Sequence, residues 1–381
     1  TVFDGCEFES KFYIDLSQLG KDGDSNVLNL NNTCFEAGAW FNVNGTNGTF
    51  NLDNSVLKVS GGDASGSLAI NGSGNEFNFE NDSRLVSAKV AVGANNVINI
   101  DDSSLEIKNL TNNGTVNVSG DSMLDIATMT GNAVQVVADT VLTDSNVSGT
   151  VKVGFDADNA ADTTLKLDGE TSIGTLYVGK ENRENDYKLV IDDADVTLGS
   201  LYNRTDSVVE ISNGSNVNIG YWQSKGMVTI DGSIVNHTGA NMYVYNNDST
   251  SVATITLKNG STLTSNANYA IYLGNSENGP AKGSAAIILE SGSTLDTKNL
   301  TLHDAGEVEE VAGATASTRV EATDSTIKVS NKLTNGGEIE LNNSTLTTDS
   351  IVNSGKISVA DSTLISNAVN NPGSADGIWV S

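Results

Sequence analysis

The chain has 381 residues and a formal net charge of −28 at pH 7, from 48 acidic and 20 basic side chains. Nucleic acids and anionic lipids are bound through basic patches, so this charge argues against both as partners. The 38 glycines and only two prolines, together with abundant Val, Ile, Thr, Asn and Ser, are typical of short strands joined by tight turns.

The first 30 residues contain several bulky side chains but lack a short phrase that recurs through the rest of the chain. Phe3, Phe8 and Phe12 are the clearest of these bulky residues. The first turn of a stacked structure leaves core and strand edges open. We therefore expect residues 1–30 to form an N-terminal cap and residues 31–381 to form the stack.

Cys6 and Cys34 are the only cysteines. A disulfide between them would close a loop of about 28 residues and would pin the exposed end of the stack. Structural disulfides persist in oxidising compartments, so the pair predicts a protein of the periplasm, the cell surface or the exterior. The alternative is two free, buried thiols.

The recurring phrase is a small polar residue, a spacer and an aliphatic residue, and it occurs about fifteen times. One clear copy is Asp324-Ser325-Thr326-Ile327. The first and last aliphatic or aromatic anchors, Phe35 and Leu364, are 364 − 35 = 329 residues apart. Fourteen intervals then average about 23 residues each.

The sequence predicts three short strands in each repeat. An apolar-x-apolar triplet before most copies of the phrase is the first, the aliphatic end of the phrase is the second, and a short apolar segment after it is the third. The repeat length varies while the strand phrase stays fixed, which favours stacked rungs with turns of different length. Leucine-rich repeats and immunoglobulin-like sandwiches fit the pattern less well. The sequence predicts an all-β fold, a parallel β-helix solenoid of about fifteen rungs with three short strands each.

Tyrosine is concentrated in the middle of the chain, with eight of the nine between Tyr177 and Tyr272. Several occupy the centre of the third strand, where alternation places their aliphatic neighbours inside and the tyrosines outside. Successive rungs would form an exterior ladder, whose flat rings and polar tips suit sugars or a partner protein. The alternative is that the rings only stabilise the sheet. The predicted ligand-binding residues are Tyr177, Tyr202, Tyr221, Trp222, Tyr243, Tyr245 and Tyr272.

Three long insertions follow third strands and therefore occupy the same turn of the solenoid. They cover residues 180–187, 275–284 and 303–317. Because loops gathered on one edge often bound a groove, they predict a groove beside the tyrosine strand.

Catalytic signatures are weak. A Ser-His-Asp triad needs a histidine, but His237 and His303 lie in different rungs and are expected to be exposed turn residues. Asp192, Asp193 and Asp195 could belong to a carboxylate pair, but they are better explained as turn residues between two strands. We predict no catalytic residues, no cofactor and no metal site.

Phrases such as Asn113-Gly114-Thr115-Val116-Asn117-Val118, the Asn/Gly/Ser/Thr-rich rungs and the acidic balance resemble the passenger domains of bacterial autotransporters. The resemblance covers nearly the whole chain and rests on composition. It implies a right-handed β-helix at the Gram-negative cell surface or secreted from it. It also implies a C-terminal outer-membrane β-barrel translocator in the full-length protein, and a role in adhesion or aggregation.

We therefore expect a surface-displayed or secreted bacterial adhesin that binds a host glycan or surface protein, without catalysis, along the tyrosine face. One alternative is a self-associating protein whose rods zip together through Asn and Thr ladders and drive cell aggregation. Another is a polysaccharide lyase or glycoside hydrolase, since enzymes of these kinds share the fold.

Overall fold

A computed structural model confirms the predicted all-β parallel β-helix. The chain forms two compact units, Thr1–Leu176 and Tyr177–Ser381. Within the described part of the chain, every regular element is a strand, and there is no helix long and apolar enough to cross a membrane. The structure describes residues 1–10, 13–15, 26–60, 67–154, 162–179, 187–246, 251–265, 268–276, 279–280, 283–303, 317–370 and 377–380.

The strands that begin in the first unit are β1 (Val2–Asp4), β2 (Glu7–Ser10), β3 (Tyr13–Asp15), β4 (Asn26–Asn31), β5 (Cys34–Ala37), β6 (Trp40–Val43), β7 (Gly48–Asp53), β8 (Val56–Val59), β9 (Ser67–Ile70), β10 (Glu76–Glu80), β11 (Arg84–Val92), β12 (Val97–Asp101), β13 (Ser104–Asn112), β14 (Thr115–Gly131), β15 (Val134–Thr143), β16 (Asn146–Val153), β17 (Thr163–Asp168) and β18 (Glu170–Val178).

The strands of the second unit are β19 (Tyr187–Asp192), β20 (Asp195–Asn203), β21 (Ser207–Ser212), β22 (Asn216–Ser224), β23 (Met227–Asp231), β24 (Ile234–His237), β25 (Met242–Val244), β26 (Val252–Lys258), β27 (Thr262–Ser265), β28 (Ala270–Leu273), β29 (Asn275–Ser276), β30 (Gly279–Pro280), β31 (Ser284–Leu289), β32 (Thr294–Leu302), β33 (Thr318–Thr323), β34 (Thr326–Asn335), β35 (Glu338–Asn342), β36 (Thr345–Asn353), β37 (Lys356–Ala360), β38 (Thr363–Asn370) and β39 (Ile378–Val380).

Strands of successive coils pair in parallel, so equivalent side chains lie directly above one another. The strand that opens each coil recurs as β1, β4, β7, β10, β12, β14, β15 and β17 in the first unit. In the second unit it recurs as β19, β21, β23, β26, β31, β33, β35, β37 and β39. The described residues thus include two more coils than the predicted fifteen, because the first and last coils lack the recurring phrase.

The core of each unit consists of inward side chains that alternate with outward polar ones. Leu52, Phe79 and Ile100 come from three successive coils of the first unit and are at most 1 % exposed. Ile230 and Leu257 stack in the same way in the second unit. Each coil alone cannot bury its apolar side, so stacking creates the dry interior.

The structure describes residues 1–10, 13–15 and 26–30 of the predicted cap, and the boundary at residue 30 stays a prediction. Strands β1, β2 and β3 pair in parallel with β4, β5 and β6, so the chain start already forms a coil of the solenoid. Phe8, one of the bulky residues of this segment, packs on the next coil. The ring of Phe8 stacks on that of Phe35 at a centroid distance of 4.6 Å and an interplanar angle of 14°.

The predicted Cys6–Cys34 disulfide is wrong for this structure, in which both cysteines are free thiols. Glu7, not Cys6, is paired with Cys34, so the two cysteines are one residue out of step. Residues one step apart point to opposite faces of a strand, and a disulfide needs facing Cβ atoms. The Sγ atom of Cys6 instead donates to the carbonyl oxygen of Asp4 at 3.1 Å.

The recurring phrase is the sequence signature of the turn between the first two strands of a coil. In one copy, Asp82 adopts the left-handed conformation with φ 62°, which Asp and Asn tolerate better than most residues. Ser83 then points inward, and its hydroxyl accepts the backbone N–H of Ser55 at 3.0 Å. The same hydroxyl donates to the carbonyl oxygen of Leu52 at 2.9 Å.

Equivalent hydroxyls recur in most coils, and we call them the serine row. They are all buried, which explains why a small polar residue is required at this point of the phrase. The serine row comprises Thr33, Ser55, Ser83, Ser103, Ser122, Ser145 and Thr171 in the first unit and Ser215, Ser233, Ser261, Ser293, Ser325 and Ser344 in the second.

Candidate functional site

Five tyrosines form a continuous series of rings on the outer face of the third strands in the second unit. We call Tyr177, Tyr202, Tyr221, Tyr243 and Tyr272 the tyrosine row. All five are half-buried, while their strand neighbours such as Leu201 and Leu273 are 0 % exposed. The predicted exterior ladder is therefore confirmed for these five residues, whereas ligand binding by them stays a prediction.

The rings contact one another from end to end of the row. Tyr177 and Tyr202 stack at 4.6 Å and 9°, and Tyr243 and Tyr272 stack at 5.5 Å and 14°. The Tyr221 ring lies between these pairs, 5.3 Å from Tyr202 and 6.4 Å from Tyr243, with tilts of 42° and 48°. Offset and tilted arrangements at these distances are favourable aromatic contacts.

Tyr221 joins the row from an unexpected strand position. Its backbone is paired with Ser200, while Gln223 is paired with both Tyr202 and Tyr243. Positions two residues apart point to the same face of a strand, so the Tyr221 side chain can lean across to the aligned column. The row is thus continuous in space, although one of its coils carries glutamine at the aligned position.

Stacking changes what the tyrosine row offers to a ligand. Where two rings lie nearly parallel at 4.6 Å, as Tyr177 and Tyr202 do, each covers a face of the other. The expectation of flat faces open to sugar rings therefore does not fit the interior of the row. Such a pair leaves its ring edges to a ligand, together with its phenol hydroxyl groups, which can donate and accept hydrogen bonds. The hydroxyl group of Tyr221, by contrast, is buried.

Arg204 adds a positive charge at one end of the row. Its Cζ atom lies 5.5 Å from the centroid of the Tyr177 ring and 5.9 Å from that of Tyr202. A guanidinium group within about 6 Å of an aromatic ring is attracted by the negative potential of the ring face. Arg204 thereby stabilises this end of the row and places a cation there in a strongly acidic protein.

Two of the predicted ligand-binding residues belong to the interior. Trp222 is 0 % exposed, and its Nε1 atom donates to Oδ1 of Asn203 at 3.4 Å. It is paired with Leu201 and Met242, which are inward residues of neighbouring coils. Ligand binding by Trp222 is excluded by this burial.

Tyr245 is 4 % exposed and is also buried. Strand β25 ends at Val244, so the alternation that places Tyr243 outside no longer applies one residue further on. The Nζ atom of Lys225 lies 5.2 Å from the centroid of the Tyr245 ring. Tyr245 therefore packs inside the turn with a buried lysine and is not part of the outer surface.

His237 was predicted to be an exposed turn residue, and this prediction is wrong. It ends strand β24 with its side chain inward and 1 % exposed. Its Nδ1 atom lies 3.1 Å from Oγ of Ser265. Burial lowers the pKa of His237 to about 4, because the charged imidazolium loses its hydration.

His303 lies on the outer face near the tyrosine row. Its ring centroid is 6.5 Å from that of Tyr272, so a half-buried histidine prolongs the series of rings. Sequence reasoning missed this contact, although His303 follows two residues after Thr301, which is paired with Tyr272. That spacing is the signal that could have revealed a shared face.

The groove predicted beside the row stays a prediction, because most of the insertions that would line it lie outside the described residues. Residues 180–186, 277–278, 281–282 and 304–316 of the three insertions lie outside the described residues. The described part of the second insertion includes β29 and β30, which pair antiparallel.

The predicted acidic turn is confirmed. Asp193 is left-handed, with φ 52°, and it connects β19 to β20. Asp192 accepts hydrogen bonds from the side chains of Ser212 at 2.8 Å and Asn213 at 2.6 Å.

Over the described ranges, no group of three or more His, Cys, Asp or Glu side chains could hold a metal ion.

Comparisons with known proteins give no relative. No family model matches the chain, and neither a curated protein nor a solved structure matches it significantly.

Proposed function

We propose that the chain is a surface-displayed or secreted bacterial adhesin that binds a host glycan or surface protein along the tyrosine row. The observation that carries the proposal is the unbroken series of five half-buried tyrosines on one outer face, with ring separations between 4.6 and 6.4 Å. Tyrosine combines apolar contact area with a hydrogen-bonding tip, which suits recognition surfaces.

The mode of binding follows from the covered ring faces. Ring edges recur once per coil along the tyrosine row, so an extended ligand meets several similar weak contacts in sequence. The stacked pairs also offer phenol hydroxyl groups, whereas the hydroxyl group of Tyr221 is buried. Linked contacts of this kind raise the overall affinity above that of any one of them. Arg204 adds a directional, positively charged contact at the Tyr177 end.

A glycan array and immobilised host surface proteins test the proposal. Tyr202→Ala with Tyr243→Ala should abolish binding, and Tyr202→Phe with Tyr243→Phe should weaken it, because phenylalanine keeps the stack but lacks the hydroxyl group. Tyr269→Ala, off the row, is the matched control. Unchanged binding by the double alanine variant would defeat the assignment to the tyrosine row.

Self-association is the second candidate, and a row of asparagines in the first unit favours it. Asn51 donates to Asn29 at 2.8 Å, Asn78 to Asn51 at 2.9 Å, Asn99 to Asn78 at 2.8 Å and Asn117 to Asn99 at 2.8 Å. Each amide retains further hydrogen-bonding capacity. Concentration-dependent dimers in analytical ultracentrifugation, lost on Asn78→Asp, would support this candidate over adhesion.

We also propose that the chain is the passenger domain of an autotransporter, exported to the Gram-negative outer membrane by a β-barrel translocator. A barrel encoded downstream in the same reading frame would support this origin, and its absence there would count against it.

Release of reducing ends or unsaturated products from polysaccharides would instead favour a hydrolase or lyase.

A further inference from the structure

We propose that the tyrosine row is a site of oxidative cross-linking, at which a one-electron oxidant joins neighbouring coils through dityrosine. The bonds form between Tyr177 and Tyr202 and between Tyr243 and Tyr272. This inference is independent of ligand binding, because it rests on the geometry of the rings.

The two pairs are set apart from the rest of the row by their alignment. Their rings are nearly parallel, at 9° and 14°, with centroids 4.6 and 5.5 Å apart. Tyr243 and Tyr272 are also paired in register, so their side chains leave the sheet side by side, an arrangement that favours contact between the ring carbons next to the two hydroxyl groups. Tyr221 is tilted by more than 40° to both of its neighbours and is not aligned for coupling.

The chemistry balances with hydrogen peroxide as the terminal oxidant and a haem peroxidase as the one-electron catalyst. Each phenol loses one electron and its hydroxyl proton, which gives two phenoxyl radicals. A carbon–carbon bond forms between the two ring carbons ortho to oxygen, and the hydrogens on those carbons move to the oxygens and restore two phenols. The two electrons and two protons released convert one hydrogen peroxide into two waters.

The continuity of the row favours coupling at the aligned pairs wherever oxidation begins. Ring separations do not exceed 6.4 Å between Tyr177 and Tyr272. A radical formed on any ring can therefore exchange an electron with the next. Two radicals on one row meet most productively where adjacent rings are parallel, and the product is a bond within one chain.

A competing reaction defines the oxidant that the test requires. Met227 is 53 % exposed in the same unit, and oxygen-transferring oxidants convert methionine to its sulfoxide. A peroxidase with limiting hydrogen peroxide directs oxidation to the phenols instead.

The experiment treats a dilute solution of the 381-residue chain with a haem peroxidase and limiting hydrogen peroxide. It then measures dityrosine fluorescence and maps cross-linked peptides by mass spectrometry. We expect monomeric protein that contains a Tyr243–Tyr272 peptide and a Tyr177–Tyr202 peptide, each two hydrogens lighter than the sum of its parts. Tyr243→Phe should remove the first peptide and leave the second, while Tyr269→Phe, the matched control, should leave both.

Phenylalanine preserves the ring stack, so the thermal midpoint should stay near that of the parent chain and loss of the peptide cannot be ascribed to misfolding. Cross-links found only between chains, an equal yield of linked peptides that contain Tyr269, or no dityrosine in a folded, oxidised chain would each overturn the proposal.

Discussion

Tyr221 and Ser200 are paired across adjacent strands, which places the Tyr221 ring two residues away from the column that carries the other rings of the tyrosine row. That ring nevertheless lies 5.3 Å from the Tyr202 ring and 6.4 Å from the Tyr243 ring and so connects the two. The middle of the row therefore depends on one side chain that leans in from outside the aligned column.

Tyr221→Ala is expected to destabilise the second unit by about 2–3 kcal/mol, because it removes two aromatic contacts and their buried area. Urea unfolding followed by circular dichroism measures the change. Gln223→Ala is the control, since glutamine holds the aligned position but provides no ring, and it should cost less than about 1 kcal/mol. A larger effect of the Gln223 variant would contradict this account.

His237 predicts a loss of stability in acid. Its pKa in the folded state is about 4, against 6.5 in the unfolded chain, so the unfolded state binds the proton first as the pH falls. Stability is therefore full above pH 6.5 and declines down to pH 4, by about 3 kcal/mol at most.

The urea midpoint measured across this pH range tests the prediction. His237→Gln should flatten the decline, since glutamine can still reach Ser265 but does not titrate. His303→Gln, at the half-buried histidine, is the control and should leave the decline in place. An identical pH profile for parent and His237→Gln would show that another group is responsible.

Ser83→Ala tests the serine row. The substitution leaves the buried N–H of Ser55 and the carbonyl oxygen of Leu52 without the hydroxyl group that they share, which should cost about 1–3 kcal/mol. Ser83→Thr is the matched control, because Thr171 occupies the same point of another coil with its hydroxyl group inward. Equal losses for the two variants would point to packing and not to the hydrogen bonds.

The burial of Trp222 can be read from fluorescence. Of the three tryptophans, Trp222 is 0 % exposed, whereas Trp40 and Trp379 are 48 % and 61 % exposed. Trp222→Phe should remove the blue-shifted emission that iodide does not quench, and the double variant Trp40→Phe with Trp379→Phe should remove the quenchable emission. Efficient quenching of Trp222 in the parent would place it at the surface.

The free cysteines predict chemical behaviour that a disulfide would forbid. Alkylation of the native chain without a reductant should add two labels, the first at exposed Cys6 and the second at partly buried Cys34. A thermal midpoint that is unchanged by reductant is the accompanying expectation. If the intact chain is instead two hydrogens lighter than its dithiol form and takes up no label, then Cys6 and Cys34 do form a disulfide.

The sequence was sufficient for the fold because the repeated phrase encodes a local turn and a buried hydroxyl group at once, as Asp82 and Ser83 show. Alternation likewise predicted the outward tyrosines, since Tyr202 and Tyr272 lie within regular strands. The pairing of Cys6 could not be predicted, because it depends on a register that differs by a single residue.

The errors at Trp222 and Tyr245 have separate physical causes. Trp222 occupies the inward position that Leu201 holds one coil earlier, and aligning the two coils from Ile219 and Leu198 would have revealed it. Tyr245 follows the end of its strand, where alternation fails. The inward orientation of His237 has a similar signal, because it is paired with the buried residue Ile219.

The contact between a backbone N–H of one coil and the serine hydroxyl of the next also bears on how such a chain can evolve. Because this bond recurs between many neighbouring coils, as from Ser55 to Ser83 and from Ser325 to Ser344, gain or loss of a whole repeat recreates the junction that it disturbs. Removal of part of a repeat does not recreate that junction, because it moves the inward hydroxyl group away from the backbone N–H of the neighbouring coil. Duplication and deletion in units of one winding are thus the length changes that this architecture tolerates.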